Sequence, residues 1–402
     1  MERMVYGQMA RIQSSKDRSV ISINAIFLTF LLLFPLAVIS IVNCADSSIK
    51  VAIDLSHGQG DEGLAELEEI LDALGCAVIK ITEEIDEDAL RDVKILMIGE
   101  PFHHGYRDLT NAEIQAITSW FNKGGKMIWV SGACDYSKKG RLEVGYEKIE
   151  FANRILEAIG AKLRLEPLTL VKYSQKAEPL QVVADEINEN EELRDLTKGI
   201  KKVLFYGSTI VCGYDRMFGV LPIYTYVPLE SQSVSNVFWL IKSGPHSIIF
   251  TADNRSIPYA HKPYECPFGR LALTGVCICG EKPWEFEEKA MGSYVVMAIE
   301  RFAGPKHDNK IVVSGSPPYG GEKPIITSVL KGPLENITLD GPALIRNTIM
   351  WGLKIEEGTP IEAVQSINQY LFLLLITLPI IVTLYAFTLI GIKPSYRKGR
   401  WE

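Results

Sequence analysis

Several familiar signatures are missing from this chain of 402 residues, and each absence removes a class of function. Gly58-Gln59-Gly60 follows an apolar run, but no Lys-Ser/Thr pair and no acidic ribose partner accompany it, so neither a P-loop nor a dinucleotide fingerprint is present. Cys277 and Cys279 have no second Cys/His pair at zinc spacing. The net charge is -7 and the pI about 5.6, with no basic stripe outside two short flanks, which argues against nucleic acid as a partner. There is no internal repeat and no low-complexity stretch, which excludes solenoids and disordered linkers. No cofactor or metal is expected. Histidine is scarce at six residues, so any acid-base or binding site built on imidazole has few candidates.

Two long apolar runs stand out against this acidic background. Residues 20–43 and 370–392 are each about long enough to cross a hydrocarbon core as a helix. Arg11, Lys16 and Arg18 precede the first, and Lys393, Arg397, Lys398 and Arg400 follow the second, which places residues 1–19 and the basic tail 393–402 on the cytoplasmic side. The first run suits either a retained anchor or a signal peptide. Everything between is then expected outside the cytoplasm, at a cell membrane or an endomembrane. Two sequons, at Asn254 and Asn336, would be glycan acceptors in a compartment with that machinery.

The stretch from Asp92 to Tyr136 organises that outer part. Val93 to Ile98 is a short apolar run of the kind buried on both faces of a parallel sheet. Thr110 with Glu113 three residues later is a capping box, opening a helix with Ile114, Ile117, Trp120 and Phe121 on its apolar face. Gly124-Gly125 ends it, and Lys126 to Val130 is a second strand, completing a βαβ unit that implies a parallel sheet covered by helices. Ahead of it, Ile49 to Asp54 predicts a strand, Asp61 a cap, Leu64 to Leu74 a helix and Ala77 to Ile81 another strand. Behind it, a helix from Glu147 gives way to short strands over about 162–257, a β-rich insertion. The spacing of Tyr294, Val295, Ala298, Ile299 and Phe302 predicts a helix, followed by a strand at Lys310–Ser316 and a helix at Leu344–Leu353. The expected fold is thus α/β: a three-layer sandwich with a mostly parallel sheet over residues 49–355, of flavodoxin or amidotransferase type, with terminal transmembrane helices.

The segments DLSHGQ, ILMIGEPF, AITSWFNKGGKMIWVSG and KIVVSGS, with IRNTIMWGLKIEEG, together resemble the class I glutamine amidotransferase-like domains of archaeal-type membrane proteins and of transporter-associated and intraflagellar-transport proteins. The ending is also similar to the family of the 48 kDa non-catalytic subunit of oligosaccharyltransferase. Such domains are often non-catalytic, so the resemblance implies an accessory subunit of a membrane complex, active in protein N-glycosylation or attached to a transporter. Its implied partners are integral membrane subunits, the bilayer, and a glycan or protein ligand.

Catalysis in such a fold would need a thiolate at the strand-to-helix elbow and a histidine to activate it. Cys134 lies near the elbow, but Asp135-Tyr136 replace the small residues a tight turn needs and no His-x-Glu follows a late strand. Cys134 is therefore a weak nucleophile candidate, and the chain is expected to bind rather than to catalyse. Loops after successive parallel strands emerge on one edge, which should gather His57 and Gln59, then Glu100, His103 and His104, then Cys134 and Asp135. These are the ligand-binding candidates; a cluster of mutually satisfied polar loops is the alternative reading of the same residues.

Overall fold

A computed structural model describes residues 49–101, 107–134, 142–172, 180–216, 224–250, 260–261, 291–331 and 335–353. All belong to one compact unit, Ile49–Thr359. The apolar runs 20–43 and 370–392 lie outside the described residues, as do Asn254 and the cysteines Cys277 and Cys279. Among the described residues no helix is long and apolar enough to cross a membrane.

In chain order the elements are β1 (Ile49–Asp54), α1 (Leu64–Ala73), β2 (Cys76–Ile81), β3 (Val93–Ile98), α2 (Asn111–Asn122), β4 (Met127–Ser131) and α3 (Leu142–Ala158). The middle of the chain supplies β5 (Leu163–Glu166), β6 (Thr169–Lys172), β7 (Gln181–Ala184), β8 (Glu186–Ile187), a single turn α4 (Arg194–Thr197), β9 (Val203–Tyr206), β10 (Ile210–Arg216), β11 (Tyr224–Val227), β12 (Val237–Lys242) and β13 (Ser247–Phe250). The last part holds β14 (Val295–Ala303), β15 (Asn309–Ser314), β16 (Val329–Lys331), β17 (Asn336–Thr338) and α5 (Gly341–Leu353).

Eight strands form one sheet in the order β2-β1-β3-β4-β15-β14-β12-β8. From β2 to β15 every pairing is parallel, and from β15 to β8 every pairing is antiparallel. The inner parallel strands β1, β3, β4 and β15 end in unbroken buried runs because helices cover both faces, whereas the edge strand β2 is only partly buried. Ala52, Leu96, Ile98, Ile128 and Val130 point into one core with Ile117, Trp120 and Phe121 of α2 and Phe151, Ile155 and Leu156 of α3. Ile95 and Met127, of opposite parity on β3 and β4, meet α5 instead, and α5 packs beside α1. Gly352 makes that second contact close: a Cβ there would lie 2.5 Å from Met127 Sδ and 3.1 Å from Ile95 Cδ1. The result is the expected α/β class, built on one large, mostly parallel sheet.

Local signals explain most boundaries. Thr110 Oγ1 accepts from Glu113 N at 3.2 Å while Glu113 Oε2 accepts from Thr110 N at 2.9 Å, the reciprocal capping box. The cap of α1 is not Asp61. Gly63 takes that place with φ 72°, and Asp61 contributes only its carbonyl, to Leu64 N at 3.0 Å.

Two expectations are corrected. Helix α3 begins at Leu142, ahead of Glu147. The segment read as a helix over Tyr294–Phe302 is the strand β14. Val295 to Ile299 are all fully buried, so the run faces core on both sides, and a continuous apolar stretch matches a helical period as readily as a strand. Its neighbours β15 and β12 supply the ladder that decides the outcome. The β-rich middle is divided: β12 and β8 extend the main sheet, while β5-β10-β11, β6-β13 and β7-β9 form small separate sheets.

Candidate functional site

The carboxyl ends of β1, β3 and β4 carry His57 and Gln59, Glu100 and Cys134, the described members of the set singled out in the sequence. Asp54, the last residue of β1, is fully buried, and the turn behind it closes around its carboxylate. Asp54 Oδ1 accepts from Ser56 N at 2.9 Å and Ser56 Oγ at 2.8 Å. Asp54 Oδ2 accepts from Gln59 Nε2 at 2.7 Å and faces His57 Nδ1 at 2.8 Å. Gln59 Oε1 in turn accepts from His57 N at 2.9 Å. His57 is itself fully buried: its Nε2 faces Glu113 Oε1 at 3.4 Å, and its ring meets Phe151 edge-on with centroids 5.0 Å apart. His57 and Gln59 thus sit together, turned inward, holding the loop rather than lining an open crevice.

Glu113 anchors the other side of this group. Beyond its capping bonds, Oε1 accepts from Ile85 N at 3.1 Å and from Arg107 Nη2 at 2.5 Å. Burial raises the Glu113 carboxyl, but the amides of Thr110 and Ile85, the His57 ring and the Thr110 hydroxyl outweigh it and leave the group below its usual range. Tyr319, in the turn after β15, completes the seal. Its hydroxyl donates to Asp54 O at 2.7 Å, lies 3.1 Å from Met97 O and accepts from Gly99 N at 3.1 Å, tying the ends of β1 and β3. Burial, reinforced by Asp54, pushes that phenol well above its ordinary pKa.

Glu100, after β3, is buried and paired with Lys148 of α3, itself buried. Two charges removed from water are tolerable only as such a pair. Cys134 is fully buried after β4, and the β9–β10 turn lies over it: Cys134 N donates to Gly207 O at 3.0 Å, Thr169 Oγ1 donates to Cys134 O, and Ala133 bridges Ser208. The same turn reaches β15, where Thr209 N donates to Gly315 O at 2.9 Å. His103, His104 and Asp135 lie outside the described residues. Asn336 is exposed at the start of β17.

A second charged cluster was not foreseen. His261 Nδ1 meets Glu166 Oε2 at 2.5 Å and its Nε2 meets Glu230 Oε2 at 2.8 Å, so one ring joins the end of β5 to the loop after β11. Burial lowers the imidazole pKa, but the two carboxylates override it and raise it to about 9. The carboxylates occupy opposite nitrogens and do not converge on a common point, and among the described residues no group of His, Cys, Asp and Glu could hold a metal.

No family model matches this chain, and no curated protein does. Among solved structures it is similar to a Thermoplasma acidophilum protein provisionally assigned to GMP synthase, as one of its subunits. The two share 9% identity at a TM-score of 0.31, over 76% of this chain and 95% of the other.

The partners that define both clusters escaped sequence reasoning. Asp54 stands three residues before His57 at a strand end, a position where an Asx turn was a usable signal. Tyr319, Lys148 and Glu230 come from segments far along the chain, and no local pattern points to them.

Proposed function

We propose that the chain is a non-catalytic, membrane-anchored protein whose α/β domain lies outside the cytoplasm and serves as an accessory subunit of a membrane complex. The observation that carries this reading is the β9–β10 turn laid over the elbow after β4. In an open parallel sheet that edge is where ligands and nucleophiles are displayed. Here Cys134 is fully buried beneath Gly207 and Ser208, and His57 faces two carboxylates in the interior. With that edge covered among the described residues, the outer surfaces of the fold are what remain for assembly. The apolar runs 20–43 and 370–392 with their basic flanks support anchoring. The resemblance of the KIVVSGS ending makes an oligosaccharyltransferase-type assembly the first complex to seek, with the amidotransferase-like sandwich as its scaffold.

Purification of the full chain from its native membrane in mild detergent, with mass spectrometry of what stays bound, tests this. Recovery of multi-span glycosyltransferase subunits is the expected result; transporter subunits would redirect the assignment. Recovery of the protein alone and monodisperse would overturn the assembly role.

A further inference from the structure

Glu230 also borders a cavity of about 560 Å³, between the β11–β12 loop and the chain just after β8. That volume is within the range of ordinary ligand sites, roughly 300–1,000 Å³. Its polar lining holds the carboxamides of Gln232 and Asn236 and the hydroxyls of Ser231 and Ser233, together with Asn188 and Asn190, which are partly engaged within the fold: Asn188 Nδ2 donates to Trp239 O at 2.7 Å, Asn188 Oδ1 accepts from Asn190 N at 3.0 Å and Asn190 Oδ1 from Glu192 N at 3.0 Å. Phe238 and Trp239 border it as well, and Leu229, Val234 and Val237 provide apolar surface. Among the described residues no lysine, arginine or histidine lines it. Its single carboxylate is already engaged, since Glu230 Oε2 meets His261 Nε2 at 2.8 Å and Oε1 accepts from Val295 N at 2.5 Å.

The loop's backbone is fixed while its side chains are left over. Gln232 N donates to Pro228 O at 3.0 Å, Val237 N to Val234 O at 3.0 Å, and Arg301 N to Asn236 O at 2.8 Å. Asn236 is held at φ 66°. The side chains of Ser231, Gln232, Ser233 and Asn236 are exposed, and among the described residues they make no hydrogen bond. Three cations stand beside the cavity: Lys162 Nζ donates to Ser235 O at 3.2 Å, Arg301 pairs with Glu192 at 3.5 Å and lies 6.0 Å from the Phe238 ring centre, and Lys242 pairs with Glu186 at 3.0 Å and lies 4.0 Å from the Trp239 ring centre.

Carboxamides and hydroxyls each donate and accept, as every sugar hydroxyl requires, and aromatic and aliphatic groups suit the C–H faces of a pyranose. Among the described residues the lining itself offers an anion no cation, and Arg301 and Lys242 already have carboxylate partners. We propose that this cavity binds a short, uncharged oligosaccharide. The proposal is of binding, since glycoside hydrolysis ordinarily needs two carboxylates flanking the bond and among the described lining residues Glu230 is the one carboxylate, already hydrogen-bonded. The site requires neither the anchoring nor the complex proposed above, so either can fail alone.

The test is calorimetric titration of the full chain, in a sugar-free detergent, with chitotriose, maltotriose and mannotriose in turn. At least one should bind saturably, unaffected by added salt, and Gln232→Ala with Asn236→Gly should weaken it by at least about tenfold. Glycine keeps the left-handed backbone at 236, and an unchanged melting temperature certifies the variant as folded. Absence of binding by all three at millimolar concentration, equal binding by the folded variant, or binding abolished by salt would each overturn the proposal.

Discussion

The Glu113 carboxylate faces His57 Nε2 at 3.4 Å while its other oxygen closes the capping box of α2. One side chain therefore starts a helix and holds the loop after β1. Glu113→Ala should cost more than the loss of a cap. Thr110→Ala removes about 1 kcal/mol of helix capping, whereas Glu113→Ala also strands the buried Ile85 amide and Arg107, for about 3 kcal/mol or more in total. Urea denaturation of the two variants checks this, and equal losses would show that the contacts to His57, Ile85 and Arg107 contribute nothing.

Stability should also depend on pH through His261. Its folded pKa of about 9 lies above the unfolded value of 6.5, so protonation favours the folded state. The contribution is complete below pH about 6.5 and is lost as the pH rises through about 9. Melting temperatures from acid to alkaline pH should fall in that window for the native chain, and less for His261→Gln. Superimposable profiles would remove the Glu166–His261–Glu230 bridge from the account.

Close packing at Gly352 gives a mechanical prediction. Gly352→Ala drives a methyl into Met127 and Ile95 and should destabilise by about 1–3 kcal/mol. Met127→Ala opens space at the same contact, so the double variant should be more stable than the sum of the single losses predicts. Simple additivity would mean that the α5 contact relaxes elsewhere.

Thiol chemistry should separate buried from open sites. Cys76, with a pKa pushed to about 11 by burial, Cys212, raised well above its ordinary value, and Cys134, fully buried, should resist iodoacetamide in the folded chain and react after denaturation. Peptide-resolved mass spectrometry reads each cysteine separately. Rapid alkylation of Cys134 in the folded protein would revive a thiol mechanism.

Much of the parallel half was legible because its signals are local. The capping box at Thr110 and Glu113, the glycine stops at Gly75 and Gly124, and the apolar runs of β1, β3 and β4 each declare themselves within a dozen residues. β14 did not, because burial on both faces erases the alternation that marks a strand, and its partners lie elsewhere in sequence. The site divides in the same way. The loop holding His57 and Gln59 could be placed from sequence, but its closure could not. Glu113 comes from α2 and Tyr319 from beyond β15, while His261 reaches partners 95 and 31 residues away.

The Tyr319 hydroxyl joins its chain to Asp54 across 265 residues. A polypeptide made from its amino end thus completes β1, β3 and β4 long before it can cap them, and β15 arrives only after the whole β-rich middle has been synthesised. Until then the inner edge of β4 and the group around Asp54 stay unsealed, in the company of incomplete strands. Maturation of this domain is therefore gated by its last third, and a truncation just before β15 leaves an edge open to pairing with other chains.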